Sequence, residues 1–180
     1  MNEMVRGILL SMAEGVIKRF SATGRAGETF TDREYFQHYG YTSRPTPGAE
    51  GIIFREGNHI IMIASDDRRY RIALAEGEVA LYDDQGQVIK LKRGKEVHIY
   101  GCDKLTADVG VETKITCPLV RLVASDKVRI EAPLLEVTGE IKDRCDIAAG
   151  KKMSEMRSTY NGHTHPGDSG GTTGTPTQGM

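Results

Sequence analysis

Val128-Arg129-Ile130-Glu131-Ala132-Pro133-Leu134-Leu135-Glu136-Val137-Thr138-Gly139-Glu140-Ile141-Lys142 is part of an alternation that governs the second half of this chain. Val128, Ile130, Leu135, Val137 and Ile141 are apolar, and Arg129, Glu131, Glu136 and Lys142 fall between them. Side chains along a strand point to opposite faces in turn, so this pattern predicts strands with one dry and one wet face. The same signal begins at Val97 and Ile99 and continues through Leu105, Ala107, Val109, Val111, Ile115 and Leu122. Breaks at Gly101, Gly110, Pro118, Asp126, Pro133 and Gly139 give it a loose repeat, as in a stacked β-solenoid.

No aromatic residue occurs from Gly101 to Thr159, whereas all four Phe and six of the seven Tyr lie at or before Tyr100. A dry face built only from Val, Ile and Leu suits a narrow interior. Two architectures satisfy it: coils that close within one chain, or strands that wrap with two other copies around a shared axis. The second makes a slender prism with an aliphatic core.

The first half has a different texture. Val5–Leu10, Val16–Phe20, Tyr35–Tyr39, Gly51–Phe54, His59–Ala64 and Arg69–Leu74 are short β-branched or aromatic runs between Gly, Pro, Asp and Asn breakers. Thr42-Ser43-Arg44-Pro45-Thr46-Pro47-Gly48 is a non-helical connection, because proline disfavours helical backbone before it. Glu78–Tyr82 and Gln87–Leu91 flank Asp83-Asp84-Gln85-Gly86 and predict a hairpin. Short strands with one long loop point to a small OB-type barrel, with a generic β-sandwich as the plainer choice.

The 180 residues carry a net charge of -1, which leaves no overall electrostatic footprint for nucleic acid or an anionic membrane. Hydrophobic residues are 38% when Tyr is counted and Gly is not. Exchanging the two brings the value to about 46%, normal for a globular chain. Residues 1–20 mix Glu3, Arg6 and Glu14 into an apolar run, which is not the layout of a signal peptide. Cys102, Cys117 and Cys145 fit neither a disulfide framework nor a zinc knuckle and read as reduced, buried or half-buried thiols.

His163-Thr164-His165 is the strongest candidate site. On extended backbone the i and i+2 imidazoles share a face and can reach one metal. Further ligands are missing locally, since no Cys follows Cys145 and the only acid after Glu155 is Asp168. Three copies meeting at this point would bring six imidazoles together. His38, His59 and His98 share no spacing and read as surface or packing residues. Asp66-Asp67 and Asp83-Asp84 read as turn residues, and Met153–Arg157 as a spacer leading to the tip. No nucleophile motif or phosphate loop is present, so no enzymatic activity is expected.

Several of these segments resemble the central spike of contractile phage tails, the baseplate assembly protein V family, in its Mu-like branch. They are Tyr39–Glu50, Asp66-Asp67-Arg68-Arg69-Tyr70, Gly77–Gln87 and Gly162-His163-Thr164-His165, in the order of that family. The resemblance implies an all-β homotrimer: an OB-fold domain with following hairpin over residues 1–92, an intertwined triple-stranded β-helix stem over 93–153, and an apex over 154–180. It implies a role in capping the tail tube and piercing the host outer membrane on sheath contraction, within a virion or a tailocin. Partners would be tube, hub and baseplate proteins at the OB domain and the membrane at the tip. At the tip it implies one iron ion per trimer held by His163 and His165; some members also hold calcium and chloride there, for which Asp168 is the one candidate ligand. Six imidazole nitrogens around a threefold axis would favour octahedral iron over tetrahedral zinc.

Two rival readings make different predictions. A small β-fold metallohydrolase would use His163, His165 and Asp168 with one metal per chain and an open ligand position. A single-chain β-solenoid binding module would be a monomer.

Overall fold

The computed structural model describes residues 2–180, which form two compact units divided between Thr113 and Lys114. The first unit holds eight strands: β1 Asn2–Ala13, β2 Arg19–Thr23, β3 Thr29–Tyr35, β4 Glu50–Glu56, β5 His59–Asp66, β6 Val79–Tyr82, β7 Val88–Lys92 and β8 Glu96–Tyr100. Strands β1 to β5 close into a barrel in the order β1-β2-β3-β5-β4, with β3 and β5 parallel and the other pairs antiparallel. This is an OB-like barrel, as the sequence predicts.

Closure depends on the length of β1. Asn2 to Ile8 pairs with β4, and Ile8 to Ala13 pairs with β2, so one strand serves both sides of the barrel. A bulge between Leu9 and Ser11 bends it. Inside lie Val5, Leu9, Phe20, Ala22, Phe30, Tyr35, Ala49, Ile53 and Met62, with Met12 and Ile60 packed against them. The Tyr35 hydroxyl shares a 2.7 Å hydrogen bond with Ser65 Oγ, which satisfies its polar end.

Three strand expectations are corrected. Val16 and Ile17 lie in the β1–β2 loop, because β2 begins only at Arg19. The predicted strand at 35–39 is instead β3, ending at Tyr35. Phe30 and Tyr35 both point inward although five residues apart, which simple alternation forbids. Asp32 resolves this with a left-handed φ of 53° and a shift of register against β2. Residues 69–74 form no strand; Arg69 there donates to Asp67, Thr46 Oγ1 at 3.2 Å and the Pro47 carbonyl at 3.0 Å, clamping the long loop before β4.

The hairpin forms as expected and gains a third strand, β8, giving a β6-β7-β8 meander. Asp83 Oδ1 accepts from the amides of Gln85 and Gln87 at 3.0 and 2.9 Å, while Gly86 supplies the left-handed turn residue. On one face Lys90 Nζ meets Glu78 at 2.7 Å. That contact holds the Glu78 carboxyl below the usual carboxylate range.

The alternating run does not take the form expected of it within a single chain. Among the described residues no strand or backbone-to-backbone hydrogen bond involves 102–140, and every residue from 103 to 146 is exposed. A solenoid closed within one chain therefore does not form. Cys117 and Cys145, read as at least half-buried, are exposed for the same reason, and Cys102 is half-buried.

The second unit contains α1, Met153–Gly162, where the sequence reading placed a spacer. Glu155 accepts the Lys152 amide at 2.8 Å, half of a capping box at the helix start. Met153, Met156 and Tyr160 share one stripe at i, i+3 and i+7. None of the helical residues is buried.

Candidate metal centre

His163 follows α1 directly, with φ -74° and ψ 150°, so the chain passes from helix to extended backbone at the first histidine. The two imidazoles come together as the i, i+2 spacing requires: their ring centroids are 4.9 Å apart, edge to face. Tyr160 stacks obliquely on His163 with centroids 5.3 Å apart. His163 Nδ1 sits 2.5 Å from the Tyr160 carbonyl oxygen. A carbonyl only accepts, so Nδ1 carries a proton, which leaves Nε2 as the nitrogen that could face a metal.

The polypeptide behind the histidines folds back on them. The His165 amide donates to Thr173 Oγ1 and the Thr173 amide to the His165 carbonyl, both at 2.9 Å. The Gly167 amide donates to the Gly171 carbonyl at 2.7 Å, closing a small hairpin. The Met180 amide reaches Asn161 Oδ1 at 2.9 Å at the end of α1. The His165 backbone is thereby held through both its amide and its carbonyl to Thr173, which the Gly- and Thr-rich composition of this segment conceals.

Asp168 lies in the turn of that hairpin, accepting from Ser169 Oγ at 3.3 Å. It does not join the histidines: among the described residues no group of three His, Cys, Asp or Glu side chains could hold a metal. Two imidazoles suit iron, zinc, nickel or copper, yet two ligands leave any of these incomplete. The residues fit a metal when further copies supply more imidazoles. The three-ligand set that a hydrolase would require is not assembled by one chain.

The other candidates occupy structural positions. Asp67 is tied to Arg69, Asp66 pairs with Arg71, and Asp83 organises its turn. His98 stacks on Tyr100 with centroids 4.7 Å apart, and His59 opens β5. The part of the site missing from the sequence reading is α1 with its Tyr160 carbonyl. The i, i+3, i+7 stripe of Met153, Met156 and Tyr160, with Glu155 in the first turn, is the signal that marks it.

Residues 6–69, nearly the whole barrel, match the family described as Bacteriophage Mu Gp45, N-terminal. The chain is also 31% identical over 157 residues to the baseplate puncturing device gp45 of Escherichia phage Mu, covering 78% of this chain and 71% of that protein. With the barrel, the meander and the paired histidines in place, the chain belongs to the Mu Gp45 family of phage baseplate proteins.

Proposed function

We propose that this chain is the central spike of a contractile tail baseplate, a homotrimer without enzymatic activity. Its organisation is an OB domain with hairpin (1–92), an intertwined triple-stranded β-helix stem (93–153) and a metal-bound apex (154–180). The observation that carries the reading is the exposed run. Between Leu105 and Ile141, fourteen large aliphatic side chains are exposed in one chain, and the backbone of 105–140 makes no backbone-to-backbone hydrogen bond. Burying each such side chain is worth roughly 1.5–3 kcal/mol, so the run gains tens of kcal/mol from company. Strands of two further copies supply both the cover and the missing backbone partners.

The apex follows from the same symmetry. Three copies bring six imidazoles to one axis, a donor set suited to one iron ion per trimer. His163 and His165 would hold it, with the Tyr160 carbonyl fixing the His163 ring. A metal saturated by protein ligands is structural: it ties three chain ends together where the spike meets its target. The relative's name, a puncturing device, supports a tip that crosses the host outer membrane under the force of the sheath. Among the described residues no helix is long and apolar enough to cross a membrane. The barrel end would join tube, hub and baseplate proteins, placing the trimer in the virion or tailocin particle.

Light scattering combined with elemental analysis of the purified protein tests this reading. Three chain masses with one iron are expected. A monomer carrying its own metal would sink the spike and restore the hydrolase.

A further inference from the structure

We infer that the trimer contact begins in the β6–β8 meander, upstream of the unpaired run, through one aliphatic face of that sheet. The strand register places Val79, Leu91 and Val97 in one cross-strand row and Leu81, Ile89 and Ile99 in the next. All six side chains lie on the same face and are 45% to 62% exposed. The opposite face differs, with Val88 buried and Lys90 paired to Glu78. A half-exposed face of six aliphatic residues amounts to roughly 400 Å², the size at which an apolar patch marks a contact.

Composition identifies the occupant as further copies of the same chain. Contacts between proteins that also live apart are enriched in Tyr, Trp, Met and Arg at their centres. These two rows contain none of them and no charge. Such a face looks like a domain core divided between subunits, the character of obligate assemblies. Leu105, which follows β8, lines a groove with Leu81, Ile89 and Ile99, so the face continues into the exposed aliphatic run. Copies that share the run from Leu105 onward bring their meander faces within reach of one another, because Leu105 follows β8 closely in the chain. This inference rests on the trimeric reading and adds to it where the shared core starts: at Val79, within a sheet that is already complete in each chain.

The test uses the full chain with its three native cysteines changed to Ser and single cysteines introduced as Ile89→Cys, Leu81→Cys or, in the hairpin turn, Gln85→Cys. Maleimide labelling rates are measured on samples whose mass is determined in parallel. Cysteine is itself a small apolar residue, which suits the two face positions. Trimers in which positions 81 and 89 react on the order of tenfold more slowly than position 85 support the shared face. Trimers in which all three react alike overturn it while leaving the spike intact. Monomers overturn the trimeric reading and this inference together.

Discussion

Gly7 and Gly51 stand opposite each other across the β1–β4 ladder, and neither has room for a side chain. A Cβ at Gly7 would strike the Thr23 carbonyl and come within 2.8 Å of Ile53 Cδ1. A Cβ at Gly51 would strike the Met62 sulfur. The bend that lets β1 serve both halves of the barrel brings backbone and core this close. The obstacles differ: a carbonyl in a ladder cannot move aside, whereas a thioether is flexible. Gly7→Ala should therefore cost about 1–3 kcal/mol, and Gly51→Ala less. Gly110→Ala, which meets nothing within 4 Å, should be neutral. Denaturant unfolding of the barrel checks the order, and equal losses at 7 and 110 would contradict it.

Arg69 holds the 42–48 connection from outside the barrel, and its own partner is Asp67. The hydrogen bond from Arg69 holds the Asp67 carboxyl below the usual carboxylate range. A depressed folded value stabilises above the unfolded value, and that contribution is lost as pH falls through the folded value. The clamp should thus be constant from neutrality down to roughly pH 4 and weaken below it. Gly48 and Ala49 report on it, because their amides bond to Leu9 and Thr46 carbonyls. Their hydrogen exchange, corrected for intrinsic rate, should rise in acid in the natural chain. Asp67→Asn should remove that pH dependence, and Arg69→Lys should loosen the loop at all pH values, since one ammonium cannot reproduce the planar fork.

How much was legible in the sequence depended on where the partners of each residue lie. The barrel was readable because Phe20, Ile53 and Met62 bury themselves against neighbours in the same chain. β3 was misread because Asp32 breaks the two-residue period that makes strands visible. The run from Leu105 to Ile141 gives a clear strand signal yet no strand, and within one chain its apolar face meets no cover. Alternation reports that a face must be covered and leaves open by what. At the apex the i, i+2 rule placed the two imidazoles together correctly. The helix before them went unseen because its stripe is only three residues long and lies beside a segment dominated by Gly and Thr.

A charge in the middle of the exposed aliphatic run discriminates between a shared core and a solvated tether. Ile130→Asp should prevent assembly or make it strongly dependent on concentration, because three carboxylates would meet in an apolar interior. The barrel should remain folded, its core containing no residue of this region. Light scattering and far-UV spectra of the same sample decide the matter, and an unchanged trimer would show that residue 130 faces solvent.

Shortening the chain separates the stem from the apex. A chain ending at Lys152 lacks α1 and both histidines but keeps the whole aliphatic run. It should still form trimers at low micromolar concentration, because burial at ~25 cal/mol per Å² along the run exceeds what the tip supplies. Monomers here would mean that the apex holds the three chains together.

With the proposed iron held by His163 and His165, the double replacement His163→Ala and His165→Ala should remove it while the trimer persists. The tip should loosen, seen as faster exchange of the Gly167 and Thr173 amides that close the apex hairpin. Conservative replacement at one position, His165→Gln, should lower metal content without abolishing the fold, since an amide is a poorer ligand. Metal analysis and exchange on one preparation connect the two effects. Iron that survives loss of both histidines would locate the site elsewhere, and one metal per chain would return the argument to a catalytic centre with an open ligand position.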